Sequence, residues 1–210
     1  MNCFFVGIAG GSGSGKTFLT RELLGLLGPD QAVAIETDAY YRDLSHLPIA
    51  DRARVNFDHP DALETELLVT HLRTLAKGEK VRAPVYDFTT HARTPETREI
   101  MPRPFVLVEG VLVLAMTEMA PCLDFSVFLD VPADIRLIRR LRRDTAQRGR
   151  TLDQVLDQYL EKVRPMHEQF VSPSRNLADR VLEGDFRATD LAEEIRAAAG
   201  LKIIARNNRL

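Results

Sequence analysis

The segment that most restricts the fold of this 210-residue chain lies close to its N-terminus. Residues 10–17 read GGSGSGKT and match the pattern G-x-x-x-x-G-K-[ST] at every fixed position. An apolar run at residues 4–9 precedes the segment, and leucines at positions 19, 23, 26 and 27 follow it on one predicted helical face. A strand, a glycine-rich loop and a helix in this order predict a loop that binds phosphate groups.

The residue types in this loop each have a physical role. Small residues let backbone N–H groups approach a phosphate closely, and the following helix directs its positive end at the same place. Lys16 is the expected charged contact of the β- and γ-phosphates, and the Thr17 hydroxyl is the expected ligand of Mg²⁺. The other expected phosphate contacts are Gly10, Gly11, Ser12, Gly13, Ser14 and Gly15. A flexible loop that binds nothing is the alternative, and the flanking strand and helix argue against it.

Short apolar runs alternate with segments of helical periodicity along the rest of the chain. Further strands are predicted at residues 33–35, 105–108, 125–129 and 181–182. Further helices are predicted at residues 61–78 and 190–199, before a polar tail at 206–210. The alternation predicts an α/β fold with a central parallel sheet flanked by helices, built as a single domain over residues 1–210.

Two acidic residues follow predicted strands. Glu109 comes directly after the strand at 105–108, where a carboxylate holds Mg²⁺ directly or through water. Asp38 follows the strand at 33–35, at the edge where open α/β sheets bind ligands, and an acid there accepts a hydroxyl proton. The structural alternatives are a solvated acid at a strand end and an aspartate in a turn or at an N-cap. The guanine-reading sequence Asn-Lys-x-Asp is absent, which disfavours a GTPase.

The charge of the chain is unevenly distributed. The total is 28 Lys and Arg against 30 Asp and Glu, a net charge of -2, which excludes a protein that wraps nucleic acid. Residues 135–150 nevertheless carry a charge of +6, because Asp144 is the only acid among seven arginines. The arginines are Arg136, Arg139, Arg140, Arg142, Arg143, Arg148 and Arg150. The use of Arg without Lys favours bidentate contacts with phosphate over a merely solvated face.

We predict that this basic segment is a helix that begins after Pro132. Its apolar residues Ile135, Ile138 and Leu141 are expected to face inward, with the arginines on the other faces. A capping box at residues 151–154 predicts a second amphipathic helix, which is expected to end near Pro165. Two consecutive helices here suggest a lid.

Cysteine content and hydropathy bear on the location of the protein. Two cysteines form no metal-binding spacing and no disulfide framework, which favours a reducing cytoplasm. The apolar N-terminus lacks a basic start, so we do not interpret it as a signal peptide. No window of about 18 consecutive apolar residues predicts a membrane span.

Several short stretches make a more specific combination with the loop. They are residues 37–42 (TDAYYR), 56–62 (NFDHPDA), 84–88 (PVYDF), 91–93 (HAR), 108–110 (VEG) and 139–150. With these stretches the chain resembles the uridine/cytidine kinase family from residue 7 to about residue 185. The resemblance implies a P-loop NTPase fold with an arginine-rich helical lid at about residues 135–176. It also implies a small β-hairpin-like, nucleoside-binding insertion at about residues 80–100.

The resemblance implies a reaction and its phosphate contacts. The γ-phosphoryl group of ATP, with GTP as an alternative donor, would be transferred to the 5′-hydroxyl of uridine or cytidine, with Mg²⁺ held through Thr17 and Glu109. Asp38 would be the general base, and Lys16 would act on the transferred group. Three arginines would reach the phosphates from the lid: Arg143, Arg148 and Arg150.

The resemblance also implies a nucleoside site. Asp58, helped by Arg140, would bind the ribose hydroxyls, and Gln158 would lie against the nucleoside. The base would contact Tyr86, Phe88 and His91, with Val111 lining the site. One tyrosine of the pair at 40 and 41 fits an aromatic position near the sugar, but the sequence does not say which. A homotetramer in the cytoplasm is also implied.

Other interpretations of these residues stay open. The aromatic residues at 86 and 88 alternate as core strand residues do, and Asp58 could begin the following helix. A related P-loop kinase that acts on a sugar phosphate or pantothenate would keep the fold and change the acceptor. A nucleotide-dependent regulatory or nucleic-acid-binding module would instead use the arginine helix on a phosphate backbone.

Overall fold

A computed structural model describes residues 3–52, 54–184 and 186–207, so the last three residues of the predicted tail lie outside it. The described residues form seven strands: β1 (Phe4–Gly10), β2 (Ala32–Glu36), β3 (Val81–Asp87), β4 (Ala92–Ile100), β5 (Phe105–Glu109), β6 (Phe125–Asp130) and β7 (Arg180–Glu183). The helices are α1 (Lys16–Leu27), α2 (Ile49–Arg52), α3 (Thr65–Ala76), α4 (Ala133–Gln147), α5 (Leu152–Gln158), α6 (Arg164–Met166), α7 (Ser172–Ser174) and α8 (Ala188–Asn207).

Five strands form one parallel sheet in the order β2-β5-β1-β6-β7. The central strand β1 is buried along its whole length, which matches its uninterrupted apolar sequence. It pairs with β5 on one side and β6 on the other, so that Ile8 lies opposite both Glu109 and Val127. The predicted α/β fold with a parallel central sheet is confirmed.

Helices cover both faces of this sheet and give it three layers. On one face, α3 packs Leu68, Leu72 and Leu75 into the core. On the other face, α1 and α8 pack against the sheet in a second cluster that includes Leu23 and Ile195. Leu26, predicted on the inner face of α1, is exposed, because the inner stripe is completed by Leu27.

The carboxyl ends of β1, β5 and β2 lie side by side, since neighbouring parallel strands end at the same edge. The glycine-rich loop follows β1, Glu109 ends β5, and a 3-10 turn at Thr37–Tyr40 follows β2. Gly110 lets this turn approach, because a Cβ atom there would collide with the Thr37 hydroxyl. The fold therefore gathers the predicted phosphate loop and both candidate acids at one edge.

β3 and β4 form a separate antiparallel hairpin, in which Val81 pairs with Ile100 and Asp87 with Ala92. The register shifts between Pro84 and Tyr86, where proline cannot donate to the ladder. The hairpin carries three of the predicted base contacts on one small, separately paired unit: Tyr86, Phe88 and His91.

The predicted orientation of α4 is wrong. Arg136 and Arg140 are 5% exposed and Asp144 is fully buried, whereas Ile135 and Ile138 are 38% and 47% exposed. The inward face of α4 does not pack on the apolar sheet; it packs on the glycine-rich loop, whose carbonyl and hydroxyl groups accept hydrogen bonds from guanidinium groups. Because the neighbouring loop presents polar groups, α4 turns its polar face towards the protein interior.

The predicted helix end near Pro165 is also wrong. The capping box at Thr151 and Gln154 is present, but the helical run continues from α5 through α6 and α7 to a 3-10 turn at Arg175–Leu177. Two π-helical segments lie in it, at Tyr159–Val163 and His167–Val171. Pro165 stands just after the first of them, where the hydrogen-bond pattern changes and its missing N–H is tolerated.

Within the part of the chain that the structure describes, no helix is both long enough and apolar enough to cross a membrane.

Candidate active site

A cleft of about 450 Å³ opens at the edge where the parallel strands end. It brings together nearly all of the predicted site residues. Those lining it are Ser12, Lys16, Thr17, Asp38, Asp58, Tyr86, Phe88, His91, Glu109, Val111, Arg140, Arg143, Arg148, Arg150 and Gln158. The remaining predicted residues, Gly10, Gly11, Gly13, Ser14 and Gly15, form the backbone of the loop at one end of the cleft.

The loop has the tight conformation that its glycines permit. Gly13 has a φ of +83°, and a Cβ atom there would collide with the backbone carbonyl oxygen of Arg136. Lys16 is buried, and its Nζ donates to the carbonyl oxygen of Gly11 at 3.2 Å. Burial lowers the pKa of Lys16, while the nearby carboxylates of Glu109 and Asp38 oppose that shift. The ammonium group is therefore held under the loop with acidic groups facing it.

Thr17 and Glu109 meet next to Lys16. The Thr17 hydroxyl donates a 2.7 Å hydrogen bond to Oε1 of Glu109, which is buried. Burial raises the pKa of Glu109, and the charge of Lys16 and this hydrogen bond counteract the rise. A hydroxyl and a carboxylate beside a phosphate loop are the oxygen ligands that Mg²⁺ takes when phosphates and water supply the rest. The described residues contain no cluster of three acidic, histidine or cysteine ligands.

Arg140 links the loop to Gln158, which also lines the cleft. Arg140 donates from Nη1 to the Ser12 hydroxyl at 2.7 Å and from Nη2 to Oε1 of Gln158 at 2.8 Å. Asp58 is desolvated, which raises its pKa, and the charge of Arg140 is the main opposing influence. We call Asp58, Arg140 and Gln158 the polar group of the cleft, in which Arg140 hydrogen-bonds Gln158 and acts on Asp58 through its charge.

An aromatic cluster forms the wall at the hairpin end. The ring of His91 stacks on Phe57 at 5.4 Å with 13° between the planes, and Tyr86 meets Phe57 and Phe88 edge on. Tyr86 carries a buried hydroxyl without a hydrogen-bond partner among the described residues. Burial, followed by the charges of Arg150 and Arg148, lowers the pKa of His91, so its imidazole is neutral near pH 7. Flat apolar surfaces beside the unpartnered Tyr86 hydroxyl suit a planar heterocycle.

Arginines from α4 and the segment after it line another wall of the cleft. Arg143 Nε lies 2.7 Å and Arg150 Nη1 3.2 Å from the two carboxylate oxygens of Asp144. Arg148 contacts the same carboxylate and also lies over the ring of Phe88, 4.2 Å from its centroid. The three predicted phosphate contacts are therefore gathered around one buried acid.

The sequence is similar to those of known proteins over most of its length. The sequence model described as the Phosphoribulokinase / Uridine kinase family matches residues 5–188. The chain belongs to this family. It is 48% identical over 186 residues to a protein named uridine kinase from Chloroflexus aggregans, covering 89% of each chain. It is 42% identical to the uridine kinase of Oceanobacillus iheyensis, covering 96% of this chain and 95% of the relative.

The family fold is also seen in solved structures. The phosphoribulokinase from Rhodobacter spheroides superposes with a TM-score of 0.61 at 17% identity, covering 90% of this chain and 74% of that one. At this identity the likeness concerns the fold alone, which is the P-loop kinase architecture predicted from the sequence.

Sequence reasoning left one aromatic residue of the cleft undecided and missed another. Tyr41 lines it and donates to Oδ1 of Asp38 at 3.3 Å, whereas Tyr40 is buried and its hydroxyl lies 2.9 Å from Nδ1 of His71. Phe57 stands within the NFDHPDA stretch, yet the sequence alone predicted no role for it. Its position next to Asp58, a predicted ribose contact, could have indicated that Phe57 lines the cleft. Other unpredicted lining residues are Arg21, Glu36, Gly110 and Gln147.

Proposed function

We propose that this protein transfers the γ-phosphoryl group of ATP to the 5′-hydroxyl of uridine or cytidine. The observation that carries the proposal is a single cleft with the phosphate loop at one end and the aromatic cluster at the other. Asp38 lines the same cleft and accepts a hydrogen bond from Tyr41, which also lines it. A donor site, an acceptor site and a candidate base in one cavity suit direct phosphoryl transfer between two bound molecules.

Donor binding is assigned to the loop and its neighbours. Backbone N–H groups of residues 10–15 and Lys16 would hold the triphosphate, and Thr17 with Glu109 would hold Mg²⁺. When bound, that ion neutralises charge on the phosphate oxygens. ATP is the proposed donor, and GTP is the alternative that a donor comparison tests.

Acceptor binding is assigned to the polar group and the aromatic cluster. Asp58 and Arg140 would bind the ribose hydroxyls, with Gln158 beside them. Phe57, Phe88 and Tyr41 line the cleft and would pack against a pyrimidine, while the Tyr86 hydroxyl and the neutral His91 would supply hydrogen bonds. The Tyr86 hydroxyl supports this assignment most directly, because a buried polar atom without a partner is costly until a ligand satisfies it.

The chemical step requires a proton acceptor and charge stabilisation. Asp38 would orient the 5′-hydroxyl and accept its proton as the oxygen bonds to the γ-phosphorus. The bond between that phosphorus and the β,γ-bridging oxygen breaks, leaving ADP and the nucleoside monophosphate. Lys16 and Arg143 would stabilise the charge on the moving group, with Arg148 and Arg150 closing the lid side against water.

Two rival functions fit the described residues less well. A kinase for a sugar phosphate needs a further basic site for the acceptor's own phosphate, whereas Tyr86, Phe88 and His91 line this cleft and suit a flat base. A nucleic-acid-binding module needs an exposed basic face, whereas Arg136 and Arg140 point into the protein.

An acceptor panel tests the proposal. The full chain is incubated with ATP and Mg²⁺ and with uridine, cytidine, thymidine, ribulose 5-phosphate or pantothenate, and ADP release and product mass are measured. We expect monophosphate formation with uridine or cytidine. Product only from the sugar phosphate or pantothenate would contradict the proposal. A Lys16→Met variant, tested in parallel, identifies release that does not come from this cleft. Substitution of GTP for ATP decides the donor, and sizing chromatography tests the proposed homotetramer.

A further inference from the structure

The acid among the lid arginines has an unusual position. Asp144 is fully buried near the end of α4, and four guanidinium groups lie within 4 Å of its carboxylate. The nitrogen–oxygen distances are 2.7 Å for Arg143, 3.2 Å for Arg150, 3.6 Å for Arg148 and 3.7 Å for Arg140. One carboxylate is therefore shared by every arginine that lines the cleft from the lid side.

The backbone of Asp144 reinforces this arrangement. Its carbonyl oxygen accepts hydrogen bonds from the N–H groups of Arg148 at 3.2 Å and Arg150 at 3.3 Å. Gly149 between them has a φ of +62°, which allows the chain to turn back over the helix end. The main chain and the side chain of Asp144 thus both fix the positions of Arg148 and Arg150 just after the end of α4.

The shared carboxylate solves an electrostatic problem. Four cations close together repel one another strongly where water is scarce, and a central anion offsets that repulsion. Burial alone would raise the pKa of Asp144, but the hydrogen bond from Arg143 and the surrounding guanidinium charges hold it below its ordinary value. Asp144 therefore stays ionised across the neutral range.

The group extends to the phosphate loop. Arg140 reaches from Asp144 to the Ser12 hydroxyl, and both Arg140 and Arg150 donate to Oε1 of Gln158, at 2.8 Å and 2.6 Å. A displacement of the carboxylate would consequently move contacts on the loop as well as on the lid.

We propose that Asp144 is a positioning residue for phosphoryl transfer: its carboxylate holds the lid arginines together at the wall of the cleft that faces Lys16. This inference rests on the proposed function of the cleft, where these arginines meet the phosphates. Asp144 touches no reacting atom in this scheme. It acts through the guanidinium groups, and it competes with an added polyanion for them.

The test uses Asp144→Asn in the full chain, which keeps the shape and one acceptor oxygen while removing the charge. We expect kcat to fall about 10- to 100-fold, because the arginines lose their fixed positions. We also expect inorganic tripolyphosphate, measured without nucleoside by calorimetry, to bind at least about threefold more tightly, since its competitor is gone. Asp134→Asn, on the exposed side of the same helix, is the matched control and should behave as the wild type.

The outcomes separate a positioning role from a structural one. A fall in kcat that follows a loss of folded protein, without tighter tripolyphosphate binding, would overturn the inference, as would a kcat within twofold of the wild type. If Asp144→Asn does not fold, Asp144→Glu keeps the charge and shifts it by one methylene. We then expect a lower kcat with unchanged tripolyphosphate affinity, and an unchanged kcat would refute positioning. Wild-type protein that binds tripolyphosphate but phosphorylates no pyrimidine nucleoside would instead contradict the proposed function alone.

Discussion

The Thr17 hydroxyl donates a 2.7 Å hydrogen bond to the carboxylate of Glu109, although the two residues are 92 positions apart in the chain. The parallel pairing of β1 with β5 brings them together, because it places Ile8 opposite Glu109 and so brings the loop and α1 to the end of β5. The contact joins Thr17, which belongs to the loop pattern, to Glu109, which lies far outside that pattern in the sequence.

Glu109→Gln tests this contact as part of the proposed Mg²⁺ site. The amide oxygen still accepts from Thr17, but the variant lacks the negative charge that would hold Mg²⁺. We expect turnover to fall at least about tenfold and to require more Mg²⁺ for half-maximal rate. Titration of the rate with Mg²⁺ measures both effects, with Glu22→Gln on the exposed face of α1 as the control. An unchanged Mg²⁺ requirement would remove Glu109 from the site.

Asp38→Asn tests the proposed general base. The amide keeps the size of the side chain and its contact with Tyr41 but accepts no proton at neutral pH. We expect kcat to fall by at least about 100-fold while the KM for uridine changes little, in the range typical of a lost base. Steady-state kinetics measure kcat and KM separately, and near-normal turnover would show that Asp38 is not the general base.

His167→Gln tests how the lowered pKa of the half-buried His167 makes the stability depend on pH. Burial, aided by the charge of Arg136, lowers the pKa of His167 to about 4 from an ordinary value of 6.5. The unfolded chain therefore binds this proton more tightly, so the stabilisation is complete above pH 6.5 and is lost as the pH falls towards 4.

We accordingly expect wild-type protein to lose more stability than His167→Gln between about pH 7 and about pH 5. Urea unfolding at each pH gives the free energies, and His46→Gln, at an exposed position, serves as the control. Equal losses in wild type and His167→Gln would contradict the assignment.

Gly110→Ala tests the close approach of two strand ends. The new methyl group would collide with Thr37, which leads into the turn that carries Asp38. We expect a loss of about 1 to 3 kcal/mol in the free energy of unfolding and a reduced turnover. Gly25→Ala is the matched control: a methyl group there would meet nothing within 4 Å, and this helical position should gain about 0.5 to 1 kcal/mol. Similar unfolding free energies for the two variants would show that the turn moves freely.

Local pattern was sufficient for the sheet and for the loop. The alternation of strands and helices predicts the parallel sheet, and the loop pattern identifies the backbone expected to bind phosphate. The orientation of α4 could not be predicted in the same way. Periodicity identifies an apolar stripe at Ile135 and Ile138, but it does not say whether the neighbouring surface is apolar side chains or polar backbone.

The aromatic wall shows a second limit. Tyr40 and Tyr41 are adjacent and identical in type, so no composition rule separates them. The 3-10 turn after β2 sends one into the core towards His71 and the other into the cleft towards Asp38. The continuation of the lid helix through Pro165 depends likewise on a π-helical segment that sequence periodicity does not reveal.

The polar inner face of α4 makes two parts of this protein respond differently to ionic strength. The sheet is held by apolar contacts, which added salt strengthens or leaves alone, whereas α4 meets the loop through guanidinium groups such as Arg140 on Ser12. Chloride screens the partly exposed guanidinium group of Arg143 more strongly than the buried contact of Arg140. We therefore expect concentrated chloride to lower turnover before it unfolds the sheet.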